Sequence, residues 1–102
     1  MEEVKIVGLA DEKLKISLSG DIDLGNAEAF YEAVMSAYIA NPCDIEFDCD
    51  ELNFIDSTTL GTFVKILKTL KKDGRNMRLV GLQAKIKKLF LICSLDRIME
   101  IA

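Results

Sequence analysis

The sequence predicts a single α/β domain, with a mixed, mostly parallel sheet of about four or five strands and helices packed mainly on one face. The hydrophobic pattern switches between a period of two and a period of about 3.6, in the order β-β-α-β-α-β-α-β. Strands joined through crossover helices run parallel. The strands carry polar residues at alternate positions, whereas a sheet covered on both faces has near-continuous apolar strands. The length of 102 residues fits one domain, residues 1–102.

Two alternating segments at the start of the chain predict a β-hairpin. Val4 and Ile6 alternate with polar neighbours, and residues 14–18 alternate between apolar side chains and Lys or Ser. Asp11-Glu12 supplies the turn between them. We expect residues 20–25, which are rich in Asp and Gly, to form a loop that leads into the first helix.

Three helical patterns follow, separated by short strands. The first helix is expected to begin at Asn26, which favours the N-cap position, and to end at Asn41-Pro42. The second helix has an apolar stripe and is expected to stop at Gly74. Its stripe is Leu60, Phe63, Val64, Leu67 and Leu70. The third helix is marked by Ile86, Leu89, Phe90 and Cys93. Strands are expected at 45–49, 77–80 and 98–101, with residues 52–55 as a separate short apolar run.

The charge balance argues against nucleic acid as a ligand. The formal net charge is −4 at pH 7 and the isoelectric point is about 4.8, whereas a phosphate backbone is bound by Lys and Arg. The lysines between positions 65 and 72 form the one cationic stretch, and they fall on the outer side of the second helix. This spacing predicts a solvated face rather than a nucleic-acid patch.

Two residue types limit the chemistry available to the chain. It has no histidine, which removes the commonest general base and the base of a Ser-His-Asp triad. Its three cysteines, Cys43, Cys49 and Cys93, include no CxxC pair. We therefore expect buried, reduced thiols and no zinc site.

The third predicted strand has an acidic face. Four carboxylates alternate along the third strand: Asp44, Glu46, Asp48 and Asp50. Side chains along one strand do not converge on an ion, so we expect a solvated face and no metal site.

The N-terminus lacks the basic region and apolar core of a signal peptide, and no apolar run approaches the about 20 residues of a membrane span. We expect a cytoplasmic protein that does not bind membranes.

The first candidate site is the segment of residues 56–61, with the sequence DSTTLG, at the start of the second helix. Ser57 or Thr58 can cap this helix by accepting a hydrogen bond from a free backbone N–H, which stabilises by about 0.5–2 kcal/mol. The physical chemistry of the residues alone favours this structural role. The alternative is that Ser57 is a phosphorylation site, because a helix N-terminus tolerates a phosphate. A phosphate there would weaken docking to an acidic or apolar partner through repulsion and desolvation.

The second candidate site is Gly20-Asp21-Ile22-Asp23. Two carboxylates at this spacing can serve acid–base or metal chemistry, but no further ligand cluster accompanies them. The segment also lacks the glycine spacing of a phosphate-binding loop. It is therefore interpreted as a turn or a binding surface rather than a catalytic centre.

Four segments of the chain together match one known family. They are Gly20-Asp21-Ile22-Asp23 with Ala27, Phe54-Ile55-Asp56-Ser57-Thr58-Thr59-Leu60-Gly61, Lys71-Lys72-Asp73-Gly74, and Ile86-Lys87-Lys88-Leu89-Phe90 with Leu95-Asp96-Arg97-Ile98. On these segments the chain resembles the STAS domain family, and in particular the bacterial anti-sigma factor antagonists, also called anti-anti-sigma factors. The segments occur in the family's order over nearly the whole chain.

The resemblance implies a regulatory protein rather than an enzyme. In this family the serine directly after the motif aspartate, here Ser57, accepts phosphate from a serine kinase that is also the anti-sigma factor. The unphosphorylated antagonist binds the kinase and frees the sigma factor, phosphorylation breaks the complex, and a phosphatase resets it. ATP belongs to the partner, so the resemblance implies no cofactor for this chain.

The resemblance also implies a kinase-facing surface. Its residues here are Asp21, Asp23, Asp56, Ser57, Thr58, Thr59 and Gly61. Two residues stand where the family commonly has glycine. We expect the Thr59 side chain to face and crowd the kinase at its closest approach, and Ser94 to carry a local backbone cost without a change of fold. Whether Thr58 is a second acceptor, and whether the chain is a monomer or a weak dimer, stay open.

Two other functions compete with this interpretation. The first is a constitutive STAS scaffolding module, in a signalling complex or on a transporter ATPase, that is never phosphorylated. The second is a small enzyme with Ser57 as its nucleophile, which without histidine requires an arrangement such as Ser-Lys.

Overall fold

The computed structural model describes all 102 residues. The strands are β1 (Val4–Ala10), β2 (Lys13–Ile22), β3 (Asp44–Ile55), β4 (Met77–Val80) and β5 (Glu100–Ile101). The helices are α1 (Ala27–Ala40), α2 (Ser57–Lys72) and α3 (Ala84–Ile92), and one turn of 3₁₀-helix spans Leu95–Arg97. The predicted order of strands and helices is confirmed.

The five strands form one mixed sheet in the order β1-β2-β3-β4-β5. β1 runs antiparallel to β2, and the other neighbours are parallel. Two rows of buried side chains cross the central strands in register: Leu14–Ile45–Met77 and Ile16–Phe47–Leu79. The residues between them are only half-buried, because they lie on the sheet face that no helix covers. The predicted fold class is confirmed, including the helices on one face.

Phe63 of α2 is the centre of an aromatic cluster that fixes this helix over the sheet. Its ring packs edge-to-face on Phe30 of α1 at 5.1 Å between centroids, and on Phe47 of β3 and Phe90 of α3 at 5.4 Å each. All four rings are fully buried. Edge-to-face pairs contribute about 0.5–1.5 kcal/mol each beyond the burial of apolar area. The start of α2 is therefore held in place by the core.

Two strands are longer than the sequence predicted. Residues 20–22 belong to β2 and residues 52–55 belong to β3, because the two strands stay paired as far as Ile22 and Ile55. The prediction of a loop over 20–25 is therefore wrong for its first half. Irregularities in this pairing, one of them between Ser17 and Ser19, change which side chains face the core. The apolar alternation along β3 is interrupted for this reason, and Phe54 is exposed.

The segment after α3 also differs from the prediction. The last strand covers only residues 100–101, and Ile98 lies outside it with 44% of its side chain exposed. Ser94 has a φ of +57°. A residue with a side chain adopts this left-handed conformation at a cost in free energy, as expected for a serine where the family commonly has glycine.

The cysteines are only partly as predicted. Cys49 is buried, and burial raises the pKa of its thiol to about 12. Cys43 is half-buried and Cys93 is exposed at the end of α3, so the prediction of buried thiols is wrong for these two. The thiols are free, without disulfides.

Ion pairs cross the open face of the sheet. Glu46 accepts hydrogen bonds from Lys15 Nζ at 2.6 Å and from Arg78 Nη1 at 3.1 Å. The hydrogen bond from Lys15 is the main reason that the pKa of Glu46 is lowered. Of the four carboxylates predicted to be solvated, Glu46 is therefore paired, whereas Asp48 and Asp50 are exposed. The chain holds no group of three or more Cys, Asp or Glu side chains arranged for a metal ion.

No helix in this fold combines the length and the apolar character needed to span a bilayer.

Candidate functional site

The start of α2 is capped by Asp56, not by a hydroxyl. Asp56 has an extended backbone, with φ −113° and ψ −176°, and its Oδ1 accepts a hydrogen bond from the Thr59 N–H at 2.9 Å. The prediction that Ser57 or Thr58 caps the helix is wrong, because the aspartate occupies the N-cap position one residue earlier. Ser57 and Thr58 instead lie in the first helical turn, and both are exposed.

The Asp56 carboxylate also joins two parts of the site. Its Oδ2 accepts a hydrogen bond from the Leu24 N–H at 2.9 Å, which ties the loop between β2 and α1 to the start of α2. The Thr59 N–H is the main reason that the pKa of Asp56 is lowered, and the Leu24 N–H acts in the same direction. Asp56 is therefore ionised at neutral pH.

The lowered pKa of Asp56 predicts a pH dependence of stability. A carboxyl with a lower pKa in the folded state contributes stability that is fully present above its unfolded-state pKa and is lost as pH falls through the folded-state pKa. Asp56→Asn should therefore lower Tm at pH 7, and the difference from the parent should shrink as pH falls below 4 (about the ordinary Asp pKa). Thermal melts of both proteins from pH 7 to pH 2.5 measure this difference. A Tm difference that stays constant over this range would contradict the prediction.

Thr59 is buried and acts inside the chain. Its hydroxyl donates to the Ile22 carbonyl at 2.6 Å and lies 3.0 Å from Asp56 Oδ1. The side chain has no exposed surface. The prediction that Thr59 faces the kinase is wrong. The side chain of Thr59 points inward from the first turn of α2, toward the end of β2. Thr59 connects β2, Asp56 and α2.

Ser57 and Gly61 are exposed on one side of this helix start, and Thr58 is exposed beside them. The Ser57 hydroxyl makes no hydrogen bond within the chain, and the nearby cap leaves it free for an incoming group. Gly61 follows one turn later on the same side of the helix. A Cβ added at Gly61 would have no neighbour within 4 Å, so this patch of the free chain is open to solvent.

The residues of the second candidate segment, 20–23, lie in two different elements, the end of β2 and the turn before α1. Asp23 lies in the turn before α1, where its Oδ1 accepts from the Gly25 N–H at 2.9 Å. Asn26 is at the N-cap position of α1, as predicted, but its side chain bonds to Asp23 N and to Asp21 O instead of capping the helix. The Asp21 side chain is exposed and pairs in register with Phe54. It therefore points away from the helices, since its neighbour Ile22 is buried beneath them.

One residue of this surface was missed by the sequence analysis. Leu24 is 75% exposed and directly follows Asp23, in the loop tied to Asp56. It stands at one end of a shallow cleft of about 390 Å³ between α1 and α2, which Thr58 also lines. At the far end of the cleft, Lys65 Nζ lies 4.2 Å from the centre of the Tyr31 ring. The available signal was an apolar residue in an otherwise polar, glycine-containing loop.

Comparison with known proteins assigns this fold to a family. The STAS domain model matches residues 4–102. The chain belongs to the STAS domain family. The resemblance drawn from the four sequence segments is thus confirmed. The anti-sigma-B factor antagonist of Listeria monocytogenes is 31% identical over 90 residues, which cover 88% of this STAS chain and 79% of that relative.

Solved structures agree with this STAS assignment. The crystal structure of a Thermotoga maritima protein superposes with a TM-score of 0.84 at 26% identity, over 96% of this chain and 82% of that one. The Bacillus cell fate determinant SpoIIAA in its phosphorylated form has a TM-score of 0.74 at 21% identity. That match covers 97% of this chain and 90% of SpoIIAA, and it supports the fold.

Proposed function

We propose that this STAS protein is an anti-sigma factor antagonist that binds an ATP-using serine kinase, its anti-sigma factor, and leaves it when Ser57 is phosphorylated. The observation that carries the proposal is the state of the Ser57 hydroxyl, which is exposed and free of hydrogen bonds directly after the Asp56 cap of a helix packed on the core. Two kinds of relative support it. Proteins named anti-sigma-B factor antagonist match over most of the chain, and SpoIIAA exists in a phosphorylated form.

The charges around Ser57 explain how a phosphate would act as a switch. Asp56 is ionised beside Ser57, Asp23 lies in the adjoining turn, and the whole chain carries a net charge of −4. A phosphate adds a charge of about −1.5 to −2. The added charge would be repelled by an acidic partner and costly to desolvate against an apolar one. Because Asp56 already caps α2, the helix does not depend on the Ser57 hydroxyl, and the fold would survive the modification.

The partner-facing surface in this proposal consists of exposed residues around Ser57, with others acting behind them. The exposed residues are Leu24, Ser57, Thr58 and Gly61, together with the half-buried Asp23, whereas the exposed Asp21 side chain lies on the other face of the sheet and is not adjacent to Ser57. Asp56 and Thr59 hold this surface in shape through their hydrogen bonds. A buried Thr59 also leaves the approach of a kinase unobstructed. A phosphatase that removes the phosphate would return the protein to its binding state.

Mass spectrometry of the protein from its native cell tests the proposal. We expect a fraction of the chain to carry one phosphate, with fragmentation placing it on Ser57. The Ser57→Ala protein should lose this modification, whereas Thr58→Ala should keep it. A phosphate on Thr58 alone would reassign the acceptor.

The same measurement separates the competing functions. A chain that is unmodified under every growth condition would favour the constitutive scaffolding module over the switch. An enzyme using Ser57 requires an adjacent general base, and no side chain within the protein forms a hydrogen bond to the Ser57 hydroxyl. An acylating probe that labels Ser57 in the folded protein would argue for the enzyme.

Gly61 gives a prediction in which stability and binding move in opposite directions. Gly61→Ala should raise the free energy of unfolding by about 0.5–1 kcal/mol, because alanine favours a helix interior and the added Cβ meets open space. The same methyl should weaken partner binding, because it protrudes from the contact surface. Urea unfolding and a binding titration measure the two effects. Lys72→Ala, at the other end of α2, should leave binding unchanged, and equal binding by Gly61→Ala would move the interface away from this turn.

A further inference from the structure

A groove lies along the flank of α2 that faces away from α1. It has a volume of about 420 Å³ and is lined by Val64, Leu67, Lys68, Lys71, Arg97 and Ile98. The α2 residues recur at a spacing of three or four, so they form one stripe along the second half of the helix. The other wall is formed by Arg97 at the end of the 3₁₀ turn and by the following Ile98, which is 44% exposed.

The groove combines an apolar floor with a positive rim. Its apolar residues are Val64, Leu67 and Ile98, and its charged residues are two lysines and one arginine. No carboxylate lines it, although the chain as a whole carries −4. Neither Lys68 nor Arg97 belongs to any of the ion pairs of the structure, all of which lie on the open face of the sheet. This is therefore a local positive surface beside the partly exposed side chains of Val64 and Ile98, with the buried Leu67 at its base.

An apolar floor with a positive rim favours one chemical class of ligand. The apolar floor favours a side-chain stripe over a nucleic-acid or phosphate backbone, and the rim favours negative charge on both sides of that stripe. An amphipathic helix lays such a stripe into a groove with anchors at spacings of three, four and seven residues. We propose that this groove binds an acidic amphipathic helix of a partner protein, with its apolar side chains on Val64, Leu67 and Ile98 and its carboxylates on Lys68 and Arg97.

The position of the groove separates this contact from the Ser57 surface. Val64, the groove residue of α2 nearest to Ser57 in sequence, follows it by seven residues, or about 10.5 Å along the helix axis, and Lys68 follows it by eleven residues, or about 16.5 Å. A phosphate on Ser57 lies beyond one Debye length, about 8 Å at physiological salt, and its effect there is screened. The groove can therefore hold its partner in both phosphorylation states of Ser57.

A designed peptide tests the proposal with the whole folded chain. The probe is a helical peptide of about 18 residues, with leucines at helical spacing and glutamates on both flanks. The control peptide has the same leucines and lysines in place of the glutamates. Methyl NMR spectra of the protein report which side chains the peptide touches, and fluorescence anisotropy of the labelled peptide gives Kd. We expect saturable shifts at Val64, Leu67 and Ile98 with the glutamate peptide and no saturable binding of the lysine peptide.

Charge-reversal variants test the rim directly. Lys68→Glu and Arg97→Glu should each raise Kd for the glutamate peptide at least about fivefold, since they replace attraction by like-charge repulsion. Lys72→Glu makes the same charge change on α2 at a residue outside the groove, and its Kd should match the parent. Ser57→Asp should also bind the peptide like the parent, so a failure at the groove and a failure of the Ser57 switch are told apart.

Three results would overturn the proposal. The first is equal binding of the two peptides, which would remove the role of the rim. The second is a set of shifts centred on residues around Ser57 instead of the groove. The third is concentration-dependent shifts of the groove methyls in protein alone, which would assign this face to a second copy of the chain.

Discussion

Ser57→Asp should release the proposed serine-kinase partner while the domain remains folded. The substitution places a second carboxylate beside the ionised Asp56 on an acidic surface. Unfavourable juxtaposition of like charges in an interface costs several kcal/mol, so the affinity should fall at least about 100-fold. The cap on α2 is Asp56, and Ser57 makes no hydrogen bond that the substitution removes. The circular dichroism spectrum should therefore match the parent, with Tm close to the parent value.

A pulldown from native lysate compares the parent with two variants of Ser57 and one control. The parent and Ser57→Ala should retain a serine kinase, and Ser57→Asp should lose it. Ser36→Asp makes the same change at an exposed serine on α1 and should retain the kinase. Retention of the same partner by all four proteins would refute the switch and support the scaffolding module, most directly if that partner is a transporter ATPase or a large signalling complex.

Thr59→Val should destabilise the domain and disturb the candidate site. Valine has nearly the shape of threonine but cannot donate to the buried Ile22 carbonyl, now bonded at 2.6 Å. Leaving a buried acceptor without its partner costs about 1–3 kcal/mol. For a domain of this size each kcal/mol lowers Tm by about 4–8 °C. The connection between the end of β2 and the start of α2 should loosen together with the fold.

Matched variants at this position separate the hydroxyl from the methyl group. Thr59→Ser keeps the donor and should recover most of the stability that valine loses. Thr59→Gly restores the residue common in the family, removes the hydroxyl and adds helix-breaking freedom, so it should be less stable than Thr59→Ser. Urea unfolding of the parent and the three variants ranks them. A Thr59→Val protein as stable as Thr59→Ser would show that the hydrogen bond to Ile22 contributes nothing to stability.

The family of this chain could be identified from the sequence because the motifs that mark it are contiguous segments. The turn at Asp11-Glu12 and the helical stripe around Phe63 depend on residues close in the chain. The segments that match the STAS pattern are likewise contiguous, and the family model covers residues 4–102. The aspartate before Ser57 was visible in the sequence, but whether it or a hydroxyl caps the helix depends on the backbone angles at residue 56.

Other errors of prediction occur where distant segments meet. β2 continues through residues 20–22 because β3 offers a parallel partner there, and no local pattern encodes that partner. Cys93 shares its residue type with the buried Cys49, yet its place at the end of α3 leaves it exposed. Exposure of one side chain is decided by what the rest of the chain packs against it.

The sequence by itself determined the order of elements, the single open face of the sheet and the hydroxyls at the start of α2, since these follow from periodicity and residue type. Only the tertiary structure decided which hydroxyls are free: Ser57 and Thr58 are exposed, whereas Thr59 is buried. Ser57 and Thr59 are two residues apart in one helical turn, and they face opposite environments. The core side of α2, set by Phe63, turns Thr59 toward the Ile22 carbonyl and leaves Ser57 in solvent. Rotation of α2 about its axis is fixed by burial of apolar side chains from three other elements, and that is a property of the assembled fold.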